Sequence, residues 1–185
     1  MLSVSRCWGT LPEERRLRFP CDDLILNTDA ALYRGVTINA SPELVFRWLC
    51  QMRVAPYSYD LIDNGGRQSP QKLIPGLEQL EVGQDVMTIF SLVSFKRNEH
   101  LTIRLKPNRK APRIFGDIAV SYLVAPIDAE RCRLLVKLVV KHRRGATGAL
   151  LRRFLPWGDL IMMRRQLLNF KTLAEGSTDT HDYRS

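Results

Sequence analysis

Four consecutive residues, Tyr57-Ser58-Tyr59-Asp60, place two phenols and a carboxylate within one short stretch. A phenol buries apolar area while keeping a hydroxyl to donate or accept, and a carboxylate can take a proton or orient a neighbouring tyrosine. At the mouth of a cavity, Tyr57, Tyr59 and Asp60 would hold a ligand or serve as general acid and base. The same residues also suit a structural part, with Tyr59 packed under a helix and Asp60 satisfying loop amides. A second set, Trp48, Phe90, Phe95, Tyr122, Trp157, Met162 and Met163, offers large or adaptable apolar surface for either a core or the lining of a ligand cavity.

Other chemistries find little support. Cys7, Cys21, Cys50 and Cys132 contain no CxxC pair, and His100, His142 and His181 sit far apart, so no zinc signature assembles. None of the histidines lies in a nucleophile–base motif; His100 and His142 read as surface side chains among charged neighbours. Gly65-Gly66 lacks the strand-loop-helix setting of a phosphate cradle. No metal and no cofactor is expected.

The elements that must position these residues follow from local patterns. Leu32 to Ile38 is rich in strand formers. Ser41-Pro42-Glu43 then supplies a helix cap, a proline suited to the first helical position and a favourable early carboxylate, so a helix should run to about Gln51. Frequent Gly and Pro between Pro56 and Gly83 indicate a structured loop. Val86 to Phe95, His100 to Lys106, Ile118 to Ala125 and Cys132 to Lys141 then read as an antiparallel meander. Ala146 to Leu155 reads as a short helix halted near Pro156, and a longer helix follows to about Glu175, with Gly176 as its stop. Its apolar stripe includes Leu160, Met163, Leu167, Phe170 and Ala174. Strands segregated from helices make the class α+β. Residues 1–30 form an irregular arm, 31–175 a single domain, and 176–185 a mobile polar tail.

The run from Arg34 to Leu49, RGVTINASPELVFRWL, resembles the opening of the SRPBCC superfamily, also called START/Bet v 1-like or polyketide cyclase/dehydrase-like. The resemblance, to a bacterial branch, extends through Tyr57-Ser58-Tyr59-Asp60, Ser69-Pro70, Pro75-Gly76-Leu77-Glu78, Phe115-Gly116-Asp117 and Ser121-Tyr122. It ends with Pro156-Trp157-Gly158-Asp159 and Met162-Met163-Arg164-Arg165-Gln166. It implies a helix-grip fold, in which a curved antiparallel sheet wraps around a long C-terminal helix and leaves a cavity between them. It further implies binding of an apolar or aromatic small molecule or lipid, or a cyclase, aromatase or dehydratase reaction in the same cavity. Fold alone does not choose between binder and enzyme.

The 185 residues suit one domain able to bury its own core without disulfides or metal. A secretory apolar run and a membrane span are both missing from the pattern, so a cytoplasmic setting with free thiols is expected. The net charge of +9 is uneven: residues 96–171 carry 18 Lys and Arg against five carboxylates. Such a block attracts anionic surfaces weakly. Nucleic-acid binding is disfavoured, because the aromatics are not interleaved with the basic residues as a stacking surface. Nothing in the sequence signals an oligomeric state.

Overall fold

A computed structural model describes residues 3–59, 66, 68–107 and 111–182. Strands β1 (Cys7–Trp8), β2 (Ala30–Ile38), β3 (Asp85–Val86), β4 (Phe90–Lys96), β5 (His100–Leu105), β6 (Asp117–Pro126) and β7 (Cys132–Lys141) form one sheet in the order β1-β2-β7-β6-β5-β4-β3. All neighbours pair antiparallel except β1, which runs parallel to β2. Among the described residues the α-helices are α1 (Pro42–Cys50), α2 (Ala111–Phe115) and the 37-residue α3 (Ala146–Asp182).

Alternation of side chains across each strand sorts the sheet into two faces. Leu32, Ile38, Leu134, Val136, Val140, Val120, Tyr122, Val124, Leu101 and Ile103 lie on the inner face with α1 and α3. The cover comes from α1 through Val45, Trp48 and Leu49 and from α3 through Leu167, Phe170 and Ala174. Helix α1 starts where the cap signal placed it. Ser41 is extended, and its Oγ accepts a hydrogen bond from the Leu44 amide at 3.3 Å, a contact that stabilises a helix by about 1 kcal/mol.

The N-terminal arm has short elements of its own. Besides β1 it forms two 3-10 turns, Glu14–Arg16 and Pro20–Asp23. Phe19, Cys21 and Ile25 close over Ala119, Leu135 and Val139 on the outer face, making a second small core. The Cys21 amide donates to Ser121 Oγ at 2.9 Å, and Ser121 shares a further hydrogen bond with Thr102. Lys137 points into this layer, 2.6 Å from Asp22 and against the rings of Phe19 and Tyr33. The sheet is therefore covered on both faces, which explains why the alternate residues of β7 stay apolar.

Three expectations need correction. Pro156 does not separate two helices, and Gly176 does not stop the second: α3 is continuous to Asp182. A proline inside a helix costs about 3 kcal/mol and a glycine about 1. Here the residues inward from α3 on both sides of Pro156 pack against the fold, and the buried Pro156 offers its carbonyl to Arg34 Nη2 at 3.3 Å. The expected strand from Val86 to Phe95 is split by a tight turn, in which Met87 and Thr88 take left-handed backbone angles of 47° and 63°. His142 is buried, not on the surface; it follows directly on β7, and its backbone amide donates to Asp29 Oδ2 at 2.7 Å.

Candidate functional site

The loop after α1 returns to helix α3 through Tyr57. Its backbone is left-handed, with φ of 57°, an unusual state for a bulky residue that needs the surroundings to hold it. Two side chains of α3, three residues apart on one face, supply that hold: Gln166 Nε2 donates to the Pro56 carbonyl at 2.5 Å, and Asn169 Nδ2 to the Tyr57 carbonyl at 2.7 Å. The phenol ring is thereby driven inward. It meets Trp48 edge to face at 6.1 Å between ring centroids and Phe170 at 5.3 Å. The Trp48 indole N–H is buried without a hydrogen-bond partner among the described residues.

Between this loop and α3 lies a cleft of about 480 Å³, lined by Tyr57, Ser58, Tyr59, Gln68, Ser69, Gln71, Arg165, Asn169, Thr172 and Leu173. Among the described residues its rim is polar and carries one guanidinium, Arg165; Tyr57 closes its back, with its ring in the aromatic core. A ligand seated here would meet amide and hydroxyl groups together with the part-exposed ring of Tyr59.

Deeper in, polar groups interrupt the apolar interface of sheet and helix. Arg34 sits on the inner face of β2, between Leu32 and Val36 and opposite Val136. Its guanidinium donates to the carbonyls of Tyr33, Ser5 and Pro156 and forms an ion pair with Asp159 of α3 at 2.7 Å. Burial pushes the Asp159 carboxyl up to about 6, with the Arg34 charge offsetting only part of the effect. Tyr122, on the inner face of β6, donates to Gln166 Oε1 at 2.8 Å. Burial raises its phenol, and the nearby Asp159 charge raises it further. Asp159, Met163, Gln166 and Phe170 follow one another at helical spacing along the inward side of α3. The arrangement can bind a polar group inside an apolar enclosure, and its carboxyl can exchange a proton close to neutral pH.

The structure distributes the sequence candidates unevenly. Tyr57 and Tyr59 share the cleft, and it is Tyr57, not Tyr59, that packs beneath α1; Tyr59 is 38% exposed. Trp48 and Tyr122 are inside, while Phe90, Phe95 and Met163 are half-buried at the core margin. Trp157 and Met162 are on the outward side of α3, 54% and 37% exposed, because helical rotation points them away from Leu160 and Met163. Asp60 lies outside the described residues. The missed residues are Arg34, Asp159, Gln166 and Asn169. The buried thiols offer no nucleophile: burial pushes Cys50 up to about 12 and Cys132 to about 11.

No protein-family model matches the chain, and no curated protein is similar to it. Among solved structures it superposes on a hypothetical protein from Helicobacter pylori with a TM-score of 0.56 at 16% identity, covering 90% of this chain and 99% of that one. A protein from Nitrosospira multiformis gives a TM-score of 0.51 at 12% identity, over 80% and 99% of the two chains. The chain has the helix-grip fold. A looser overlap, with a TM-score of 0.44 at 16% identity over 81% and 97%, is with a START superfamily protein from Mycobacterium smegmatis. The helix-grip fold is the one implied by the resemblance to the SRPBCC superfamily; the first two likenesses show the fold and leave the ligand to the site.

Proposed function

We propose that the protein binds a hydrophobic or aromatic small molecule or lipid in its helix grip, entering through the cleft between the Tyr57 loop and α3. The observation that carries this reading is Tyr57 itself, which is both the back wall of the cleft and a member of the Trp48–Phe170 aromatic core. A concave site with aromatic surface and a few convergent polar groups is the usual form of a small-molecule site. Arg165 and Asn169 would take the polar end of the ligand, and Tyr59 and Leu173 its apolar body, with Tyr57 behind them. The test is titration with an environment-sensitive apolar dye, followed by displacement with fatty acids and polycyclic aromatic compounds. Saturable binding at one site, weakened by Asn169→Ala, supports the reading; no saturable binding across the panel sinks it.

A cyclase, aromatase or dehydratase reading rests on a different observation. Asp159 is a buried carboxyl with a pKa near 6 beside Tyr122, and general acids and bases work best when their pKa lies close to the working pH. This moves the acid-base role from the Tyr57 to Asp60 segment to Asp159. Turnover of a polyketide-like substrate that falls by about 10² to 10⁴ in Asp159→Asn, with binding intact, would favour the enzyme; unchanged turnover would dismiss Asp159 as its acid or base.

A further inference from the structure

Helix α3 is apolar on two sides. The inward side buries Leu160, Leu167 and Phe170 against the fold. The outward side carries Leu150, Phe154, Trp157 and Ile161, which are 60, 57, 54 and 56% exposed. Steps of four, three and four residues put these four on one line, roughly 16 Å long at the helical rise. Monomeric proteins rarely leave a contiguous stripe of large apolar side chains uncovered unless it meets something.

The surroundings of the stripe are basic. Arg153, Arg164 and Arg165 are exposed beside it, and Arg164 rests over the Trp8 ring at 5.6 Å. Between Lys141 and Thr172 the chain has eight Lys and Arg and a single carboxylate, Asp159. That carboxylate is turned inward and paired with Arg34, so no acidic side chain of this span faces outward to repel an anionic partner.

We propose that this stripe docks the protein on the surface of a bilayer containing anionic phospholipid, with α3 lying in the plane of the interface. Leu150, Phe154 and Ile161 enter the boundary of headgroups and acyl chains, and Trp157 takes the interfacial position that indoles favour. The arginines extend their stems along the apolar surface and leave their charges among the phosphates. Among the described residues no helix is long and apolar enough to cross a membrane, so the contact is one of surface attachment. Two other occupants fit less well. A second copy packed stripe to stripe would bring like charges together, and duplex DNA would use the arginines but leave the Leu, Phe and Ile row without a partner. The proposal does not depend on ligand binding in the cleft.

The test is flotation of the full chain with vesicles of phosphatidylcholine alone or with one third phosphatidylglycerol, at low and physiological salt. The protein should float with the anionic vesicles, much less with the neutral ones, and less as salt rises. Phe154→Ser combined with Ile161→Ser should lower partitioning about tenfold or more, since two of the inserted side chains are lost. Arg153→Gln combined with Arg164→Gln should lower binding to anionic vesicles alone. All four side chains are exposed, so circular dichroism and thermal unfolding should match the wild type and exclude misfolding as the cause. Equal flotation of the wild type and the Ser pair would overturn the proposal, as would failure to float with anionic vesicles. A dimer detected by light scattering and abolished by the Ser pair would assign the stripe to a second copy. Capture by duplex DNA stronger than capture by vesicles would assign the basic flank to nucleic acid.

Discussion

Arg34 of β2 and Asp159 of α3 meet at 2.7 Å with side chains only 1% and 6% exposed, joining the sheet to the helix that it grips. Removing one member of a buried pair leaves the other charge uncompensated, at a cost of about 3 to 5 kcal/mol. Arg34→Met should carry a loss of that size, since three carbonyls lose their donor as well. Adding Asp159→Leu should recover part of it. Urea unfolding of the single and double variants checks this, and a loss below about 1 kcal/mol for Arg34→Met would mean that the pair does not hold the fold.

Asp159 also sets a pH trend. Its carboxyl ionises near pH 3.8 in the unfolded chain and near 6 in the fold. Between those values the folded state holds more protons than the unfolded state, so this group's contribution to stability falls as pH rises through the window. Denaturant midpoints at several pH values should show a downward component in the wild type that Asp159→Asn removes. Identical pH profiles for the two proteins would contradict the perturbed carboxyl.

The clasp of Asn169 on the Tyr57 carbonyl should be felt in binding more than in folding. Asn169→Ala removes one hydrogen bond, about 0.5 to 1.5 kcal/mol, and frees a strained residue to turn its ring out of place. Apolar-dye affinity should drop severalfold while the unfolding temperature moves little. Tyr57→Ala should instead destabilise by about 3 to 5 kcal/mol, as truncating a buried aromatic does. Tyr59→Phe, at a half-exposed position, should change stability by less than about 1.5 kcal/mol. Calorimetric unfolding paired with dye titration separates the three, and equal effects of Asn169→Ala on affinity in folded protein and on stability would argue against a binding role.

Local signals carried the elements whose cause is local. The Ser41-Pro42 cap placed α1 to within a residue, and the period-two pattern of β5 and β7 marked strands that the structure has at nearly the same bounds. Pro156 misled because its penalty is local, whereas the burial that offsets it comes from the sheet. Tyr57 and Tyr59 were legible as a pair, but not which of them turns inward, since that depends on Gln166 and Asn169, more than a hundred positions away. Arg34 is legible from alternation: its phase with Leu32, Val36 and Ile38 puts it on the inner face, where a charge requires a partner. Asp159, four residues before Met163 on the inward side of α3, was the carboxylate in phase to supply it.

Native mass spectrometry of freshly purified protein reads directly whether the helix grip holds a small molecule. A non-covalent adduct of small-molecule mass is expected on part of the population, lost on collisional activation and diminished in Asn169→Ala. The ligand-free mass alone, before and after incubation with fatty acids and polycyclic aromatic compounds, would contradict it.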